Sequence, residues 1–414
     1  MLGPEGKGTF TFVLAILSII LQFGNLGLMS PIAYYAAQGE DYARRAGSIS
    51  LFASLVWGSL LLLVSYGAIR TFPGLTRGAD ERLVLLALIA IPAALAQLYF
   101  LNAILGTERI VAFNMSQLLF EFLRLLGTLI VLFFFTKSLI ALVISFVLTY
   151  YVVAVFEMYL FRRISLFSAR DFDFSLLRAM LSKAYRVYLS TLFAFLVLRS
   201  DVVLLNYFKG AYQVGIYSVG VAASDKLMLL PITIGMMLFP KVAGGSELSG
   251  ALTARTLRFT SFLMALACLA GAILGYPAII LLFGKTFSPS YVPFLILLPG
   301  VYFMSLETIL MYDFGGRGFP RIVYLSPLAG FAMNFLLNIF LVPRFGYKGA
   351  AFTSTLAYLL MMILNATYFS RVTGIRTREL FVPTRQELTE GLARVTSAIR
   401  RTGQQLLAPP QQID

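Results

Sequence analysis

Arg199 and Asp201 interrupt "FAFLVLRSDVVLLNYF" (Phe193–Phe208), a stretch otherwise built almost wholly of apolar residues. A separation of two residues is about 200° around a helix, so the guanidinium and the carboxylate point to different sides and cannot neutralise each other. Each needs a partner from another helix or an aqueous cavity. Asp225 and Lys226 are adjacent in the next apolar run, about 100° apart, and cannot both bury against one neighbour. Glu121 and Arg124 are three apart and share a helix face, where they can form a self-neutralising pair or line a cavity. Glu307 lies alone in a further run and can pair across helices or hold a coupling cation. Glu157 and Asp313 lie nearer the ends of their runs, where snorkelling to the interface is the expectation. Ionisable groups are expensive in hydrocarbon, so each of these should face the bundle interior or water.

The elements that position them are transmembrane helices. The chain has 414 residues, 59% hydrophobic and 13% charged, with a mean hydropathy of +0.84. A soluble domain carries about 25% charged residues. Spans of about 20 apolar residues are expected, and eleven are present: 9–28, 47–69, 83–104, 111–134, 138–160, 187–208, 212–239, 256–283, 292–312, 322–342 and 348–370. The fold class is therefore an all-α polytopic membrane protein. Counted inward from Phe208, Arg199 is about 14 Å deep; counted from Tyr212, Asp225 is about 20 Å deep, within an arginine's reach.

The absences narrow the chemistry. There is no histidine, which removes imidazole ligands, bases and proton relays. No metal site or cofactor is expected. Cys268 is the sole cysteine, so no intrachain disulfide can form. No cleavable signal sequence is visible at "MLGPEGKG". GxSxG, HExxH, CxxC and Walker patterns are missing, and the loops are short. "GGRGF" (Gly315–Phe319) reads as a turn rather than a phosphate cradle. An enzyme is the weaker class. The net charge of +14 does not indicate nucleic acid. Most lysines and arginines fall on alternate loops and on the tail, the positive-inside pattern. That places the carboxyl terminus in the cytoplasm, in a cytoplasmic (inner) membrane.

The chain also repeats. "LGPEGKGTFTF" (Leu2–Phe12) resembles "KGAYQVGIYSV" (Lys209–Val219), with Gly8 matching Gly215 at an offset of 207 residues. "FFTKSLIALVISF" matches "RFGYKGAAFTSTL", with Lys137 opposite Lys348 at an offset of 211. Two lobes in parallel repeat follow, related by an axis along the membrane normal: 1–160 with five spans and 187–370 with six. Between them, 161–186 is expected to be a cytoplasmic linker with a short interfacial helix capped by Asp173. The tail, 371–414, carries a capping box, Thr384 with Glu387, and an amphipathic pattern. The counterpart of span 187–208 would fall just before Met1. Either a helix precedes Met1 or the protein has eleven spans.

"LLRAMLSKAYRVYLSTLFAFLVLRSDVVLLNYFKGAYQVGIYSVGVAASDKLMLLPITIGMMLFPKVA" (Leu176–Ala243) resembles the central segment of polysaccharide repeat-unit flippases. These form a branch of the multidrug/oligosaccharidyl-lipid/polysaccharide exporter superfamily. The resemblance lies in an aspartate near the outer end of the seventh helix (Asp201), in "VGIYSVG" and in "FPK". "LGPEGKGTFTFVLAILSIILQFGNLGLMSPIAYYAA" is similar to the segment after that family's first helix. The resemblance implies twelve or fourteen helices in two lobes around a cavity, with the first helix missing here. It also implies alternating access that moves an undecaprenyl-diphosphate-linked oligosaccharide between leaflets for O-antigen or exopolysaccharide synthesis. Arg199, Lys226 and Arg124 would then meet the diphosphate, since arginine suits phosphate. Asp201, Asp225, Glu121 and Glu307 would support or couple. The implied partners are the lipid-linked substrate, membrane lipids and other polysaccharide-assembly proteins. A drug/cation exporter of the same superfamily, a membrane polymerase or ligase, and a non-transporting scaffold stand as alternatives.

Overall fold

A computed structural model describes residues 3–76, 80–135, 138–244 and 249–380. Lys137 and the amphipathic tail pattern lie outside these residues. The helices run α1 Gly3–Gly24, α2 Met29–Ala36, α3 Glu40–Phe52, α4 Gly58–Thr71, α5 Glu81–Leu88, α6 Ile91–Gly106, α7 Ile110–Phe134 and α8 Leu139–Ser165. They continue as α9 Phe174–Lys209, α10 Ala211–Asp225, α11 Leu229–Ala243, α12 Ser249–Phe283, α13 Tyr291–Gly316, α14 Ile322–Phe345 and α15 Tyr347–Thr373.

Each of the eleven expected spans coincides with a helix or a jointed pair. A π-helical turn, Ala53–Trp57, joins α3 to α4, and the pair spans as Glu40–Thr71. The pair α5 and α6 bends by 42° at Ile89–Ala90, where Pro92 opens the second helix. A 3-10 turn, Lys226–Met228, joins α10 to α11. Pro231 follows it and cannot donate to the Leu227 carbonyl, which weakens the helix at that point.

The linker differs from the expectation. Residues 174–186 are the first turns of α9, which runs unbroken for 36 residues. Asp173 caps it, accepting from the backbone N–H groups of Ser175 and Leu176. The Ser175 hydroxyl, then these backbone donors and Arg45 at 3.1 Å, hold its carboxyl below the usual range. Leu176 and Met180, the apolar face assigned to a membrane surface, pack instead into a core with Val13, Tyr99 and Phe161. No helix breaker lies between Phe174 and Lys209, so the capped segment propagates into the span.

The largest core cluster draws on residues 13–180, and the other clusters draw on residues 197–380 plus Ala15. The two sets meet where α1 crosses α10. A Cβ on Gly8 would lie 1.7 Å from the Ala211 carbonyl oxygen, and one on Gly215 would lie 1.8 Å from that of Pro4. In each case the carbonyl belongs to the residue four before the opposing glycine. The contact is self-complementary, as at a two-fold axis.

Candidate functional site

Asp201 is 2% exposed on α9. The Tyr217 hydroxyl of α10 donates to its carboxylate, as does Ser354 of α15 at 3.2 Å. Ser354 also accepts from the Asn334 amide of α14 at 3.2 Å. Asn334 in turn accepts from Asn338 at 2.9 Å and from Ser200 at 3.3 Å, and Asn338 accepts from Thr353 at 2.8 Å. A buried carboxylate is tolerable only with such donors. Asn334 and Asn338 are four apart in an apolar run and therefore share one face of α14. That spacing is the signal by which sequence reasoning could have found them; it did not.

Arg199 lies half-buried one turn boundary away from this network. With Asp201 and Asp225 it lines a partly open cavity of about 50 Å³, walled also by Tyr217, Val221 and Tyr358. A water occupies about 30 Å³ of liquid, so the cavity has room for very little besides. Arg199 acts electrostatically on both carboxylates. Lys226 is exposed at the joint between α10 and α11 and is not among the cavity's lining residues. Arg199 and Lys226 are therefore not brought together on one cavity in this conformation.

The remaining charges are dispersed. Arg124 donates to Glu121 at 3.1 Å and lies over the rings of Phe120 and Phe146. Lys7 of α1 lies close enough to Arg124 for their charges to interact. Glu307 is 5% exposed and accepts from Asn365 at 3.2 Å.

Glu157 and Asp313 do not snorkel; both are 0% exposed. Asp313 is bound by Arg317 one turn later at 2.6 Å and by Thr253 at 2.7 Å. A short-range partner made the interface unnecessary. Neither oxygen of Glu157 makes a well-formed hydrogen bond among the described residues, although the Gln97 side chain lies close enough to act on its carboxyl. "GGRGF" is the last two residues of α13, Gly315 and Gly316, followed by a turn with Gly318 at φ +89°.

A profile of the polysaccharide biosynthesis protein family matches residues 1–243. A Shigella flexneri protein that carries the provisional name O-antigen transporter is 22% identical over 388 residues, 90% of this chain and 92% of that one. An uncharacterised membrane protein of Methanocaldococcus jannaschii is 27% identical over 183 residues, 42% of this chain and 35% of that one. Among solved structures, an inward-facing multidrug resistance transporter of the MATE family superposes with a TM-score of 0.75 at 12% identity, covering 90% of this chain and 91% of the other. A lipid II flippase in an inward closed conformation superposes with a TM-score of 0.73 at 13% identity, covering 91% and 83%.

Proposed function

The chain belongs to the polysaccharide biosynthesis protein family, and from that premise we propose that it is a flippase for an undecaprenyl-diphosphate-linked oligosaccharide. It would carry the repeat unit across the cytoplasmic membrane by alternating access between a lobe of residues 1–160 and a lobe of residues 187–370. The tail would face the cytoplasm. The fold is shared with drug exporters and a lipid flippase alike, so the fold alone does not choose between them. The family and the Shigella relative favour the glycan.

Arg199 is the observation that carries the reading. It is a cation inside the membrane on a helix whose adjacent Ser200 and Asp201 are already satisfied by α10, α14 and α15. A diphosphate crossing hydrocarbon needs such a charge. We assign Arg199, Lys226 and Arg124 to the path of the headgroup. The network around Asp201, together with Asp225, Glu121 and Glu307, serves support or coupling.

Arg199→Gln is expected to reach the membrane at the normal level and to lose surface glycan. A charge-assisted hydrogen bond is worth about 1.5–3 kcal/mol, so the loss should be roughly ten- to hundredfold in transport rate. Arg199→Lys should restore part of it, and lipid-linked units should accumulate in the inner leaflet. Full export with Arg199→Gln and Lys226→Gln at normal protein level would remove both from the path. Drug sensitivity with intact glycan would favour an exporter.

A further inference from the structure

α15 runs from Tyr347 to Thr373, so its ends mark the two ends of the bundle. Three turns of the second half gather at the Tyr347 end. Gly210 alone joins α9 to α10, Gly346 alone joins α14 to α15, and the 3-10 turn Lys285–Ser290 leads into α13. These turns and the residues beside them carry Lys209, Lys285, Arg344 and Lys348, all exposed.

The turns are fastened to one another. The Tyr347 backbone N–H donates to the Gln213 side-chain oxygen of α10 at 3.3 Å. That bond ties the α14–α15 turn to the α9–α10 turn. A Cβ on Gly346 would lie 2.8 Å from the same oxygen, so the approach is close. The 3-10 turn seats Phe287 in a core with Ile216 of α10 and Tyr347. α9 packs against α14, and both end here, at Lys209 and Phe345. Four cations therefore crown one end of this half.

The crown has no counter-charge. Residues 202–224, 276–300 and 340–356 contain no aspartate or glutamate. None of the four cations is in an ion pair among the described residues. The same end of the first half is different. It holds Glu5, Asp80 and Glu81, and Arg70 pairs with Glu81 at 3.1 Å. Cations away from the cytoplasm run against the positive-inside bias. A group of them without carboxylates makes a local field that attracts anions.

The surface beside the crown is aromatic. Phe208, Tyr212, Phe340 and Phe345 are between 36% and 65% exposed. A cationic rim over such a flank fits an amphiphile with an anionic head, its chain lying along the helices. A phosphodiester is a monoanion. A diphosphate diester is a dianion, with oxygens that can meet cations of both turns. Charge complementarity favours the diphosphate.

We propose that Lys209, Arg344 and Lys348, with Lys285 beside them, form a docking site for the diphosphate headgroup of a polyprenyl lipid, in the leaflet to which it is delivered. The site, which rests on the flippase reading, receives the headgroup that Arg199 has passed. Lys209 stands about 15 Å beyond Arg199 on the same helix, so α9 carries one cation at depth and one at the rim.

The test uses the purified full chain in phosphatidylcholine vesicles and a photoreactive farnesyl diphosphate. Labelling is expected in peptides that contain residues 207–213 and 340–348. Unlabelled farnesyl diphosphate should compete; farnesol, which has the chain without the headgroup, should not. The variant Lys209→Gln/Arg344→Gln/Lys348→Gln should lose labelling there by roughly tenfold or more, and Lys209→Arg/Lys348→Arg should keep it. If the triple variant fails to fold, competition in the unmodified protein decides. Labelling only elsewhere, labelling that survives the triple substitution, or competition by farnesol overturns the site. So does phosphatidylglycerol that displaces the probe as well as farnesyl diphosphate does, which would make the crown a belt for ordinary anionic lipid. Glycan export tests the flippase reading separately: export that responds to Arg199→Gln while the crown stays unlabelled sinks this site alone.

Discussion

Glu157 shows how much a single carboxyl can depend on its surroundings. It lies at 0% exposure on α8, with the neutral Gln97 side chain nearby and no charged partner among the described residues. An ionised carboxylate in that position would cost several kcal/mol without a partner. Asp313, equally buried, escapes this cost because Arg317 is one turn away and Thr253 approaches from α12. The two residues therefore predict opposite responses to a neutral isostere. Glu157→Gln should leave the thermal midpoint of the detergent-solubilised protein unchanged or raised. Asp313→Asn should lower it, because Arg317 would lose its counter-charge. A midpoint that falls with Glu157→Gln as far as with Asp313→Asn would mean that Glu157 has a charged partner.

At the scale of elements, the crossing of α1 and α10 is the feature most sensitive to one methyl group. The atoms that a Cβ on Gly8 or Gly215 would meet are backbone carbonyls, which no rotamer change can move. Gly8→Ala and Gly215→Ala should each destabilise by roughly 1–3 kcal/mol, the usual cost of overpacking. The double variant should cost less than the sum, because the first substitution already separates the helices. Thermal unfolding of the four proteins measures this. Additive effects would show that the two glycines do not share one contact. The same scale explains α9. A capped start at Asp173 and no breaker before Gly210 make one long rod, which ties residues of the first core to the cavity of the second half.

For the whole molecule, the charge pattern sets the expected orientation. Arg44, Arg45, Arg162, Arg163, Arg317, Arg321 and the arginines of the tail fall on alternate loops. Contacts tie several of these segments together: Arg45 meets Asp173, and Arg258 donates to the Glu379 carbonyl at 2.7 Å. A reporter fused after Asp414 is expected to be active only if it works in the cytoplasm. Activity of a periplasm-dependent reporter at that position would invert the topology, and with it the direction of transport.

The sequence by itself determined the spans, their number within this chain, the repeat and the polar residues within the membrane. Each of these depends on local properties. A helix crosses a bilayer because about 20 successive residues are apolar, whatever surrounds them. Asp173 caps α9 through groups two and three residues away, and Glu121 meets Arg124 one turn on, so both were legible. Only the tertiary structure decided who meets whom across helices. Asp201 is satisfied by Tyr217 and Ser354, Arg199 shares a cavity with Asp225, and Lys226 does not line that cavity, because these outcomes depend on helix rotation and crossing. The interhelical partners are 16 and 153 residues from Asp201 in sequence. No periodicity within one helix reports which face of another will be opposite it. The membrane selects helices by composition; packing selects their faces by shape.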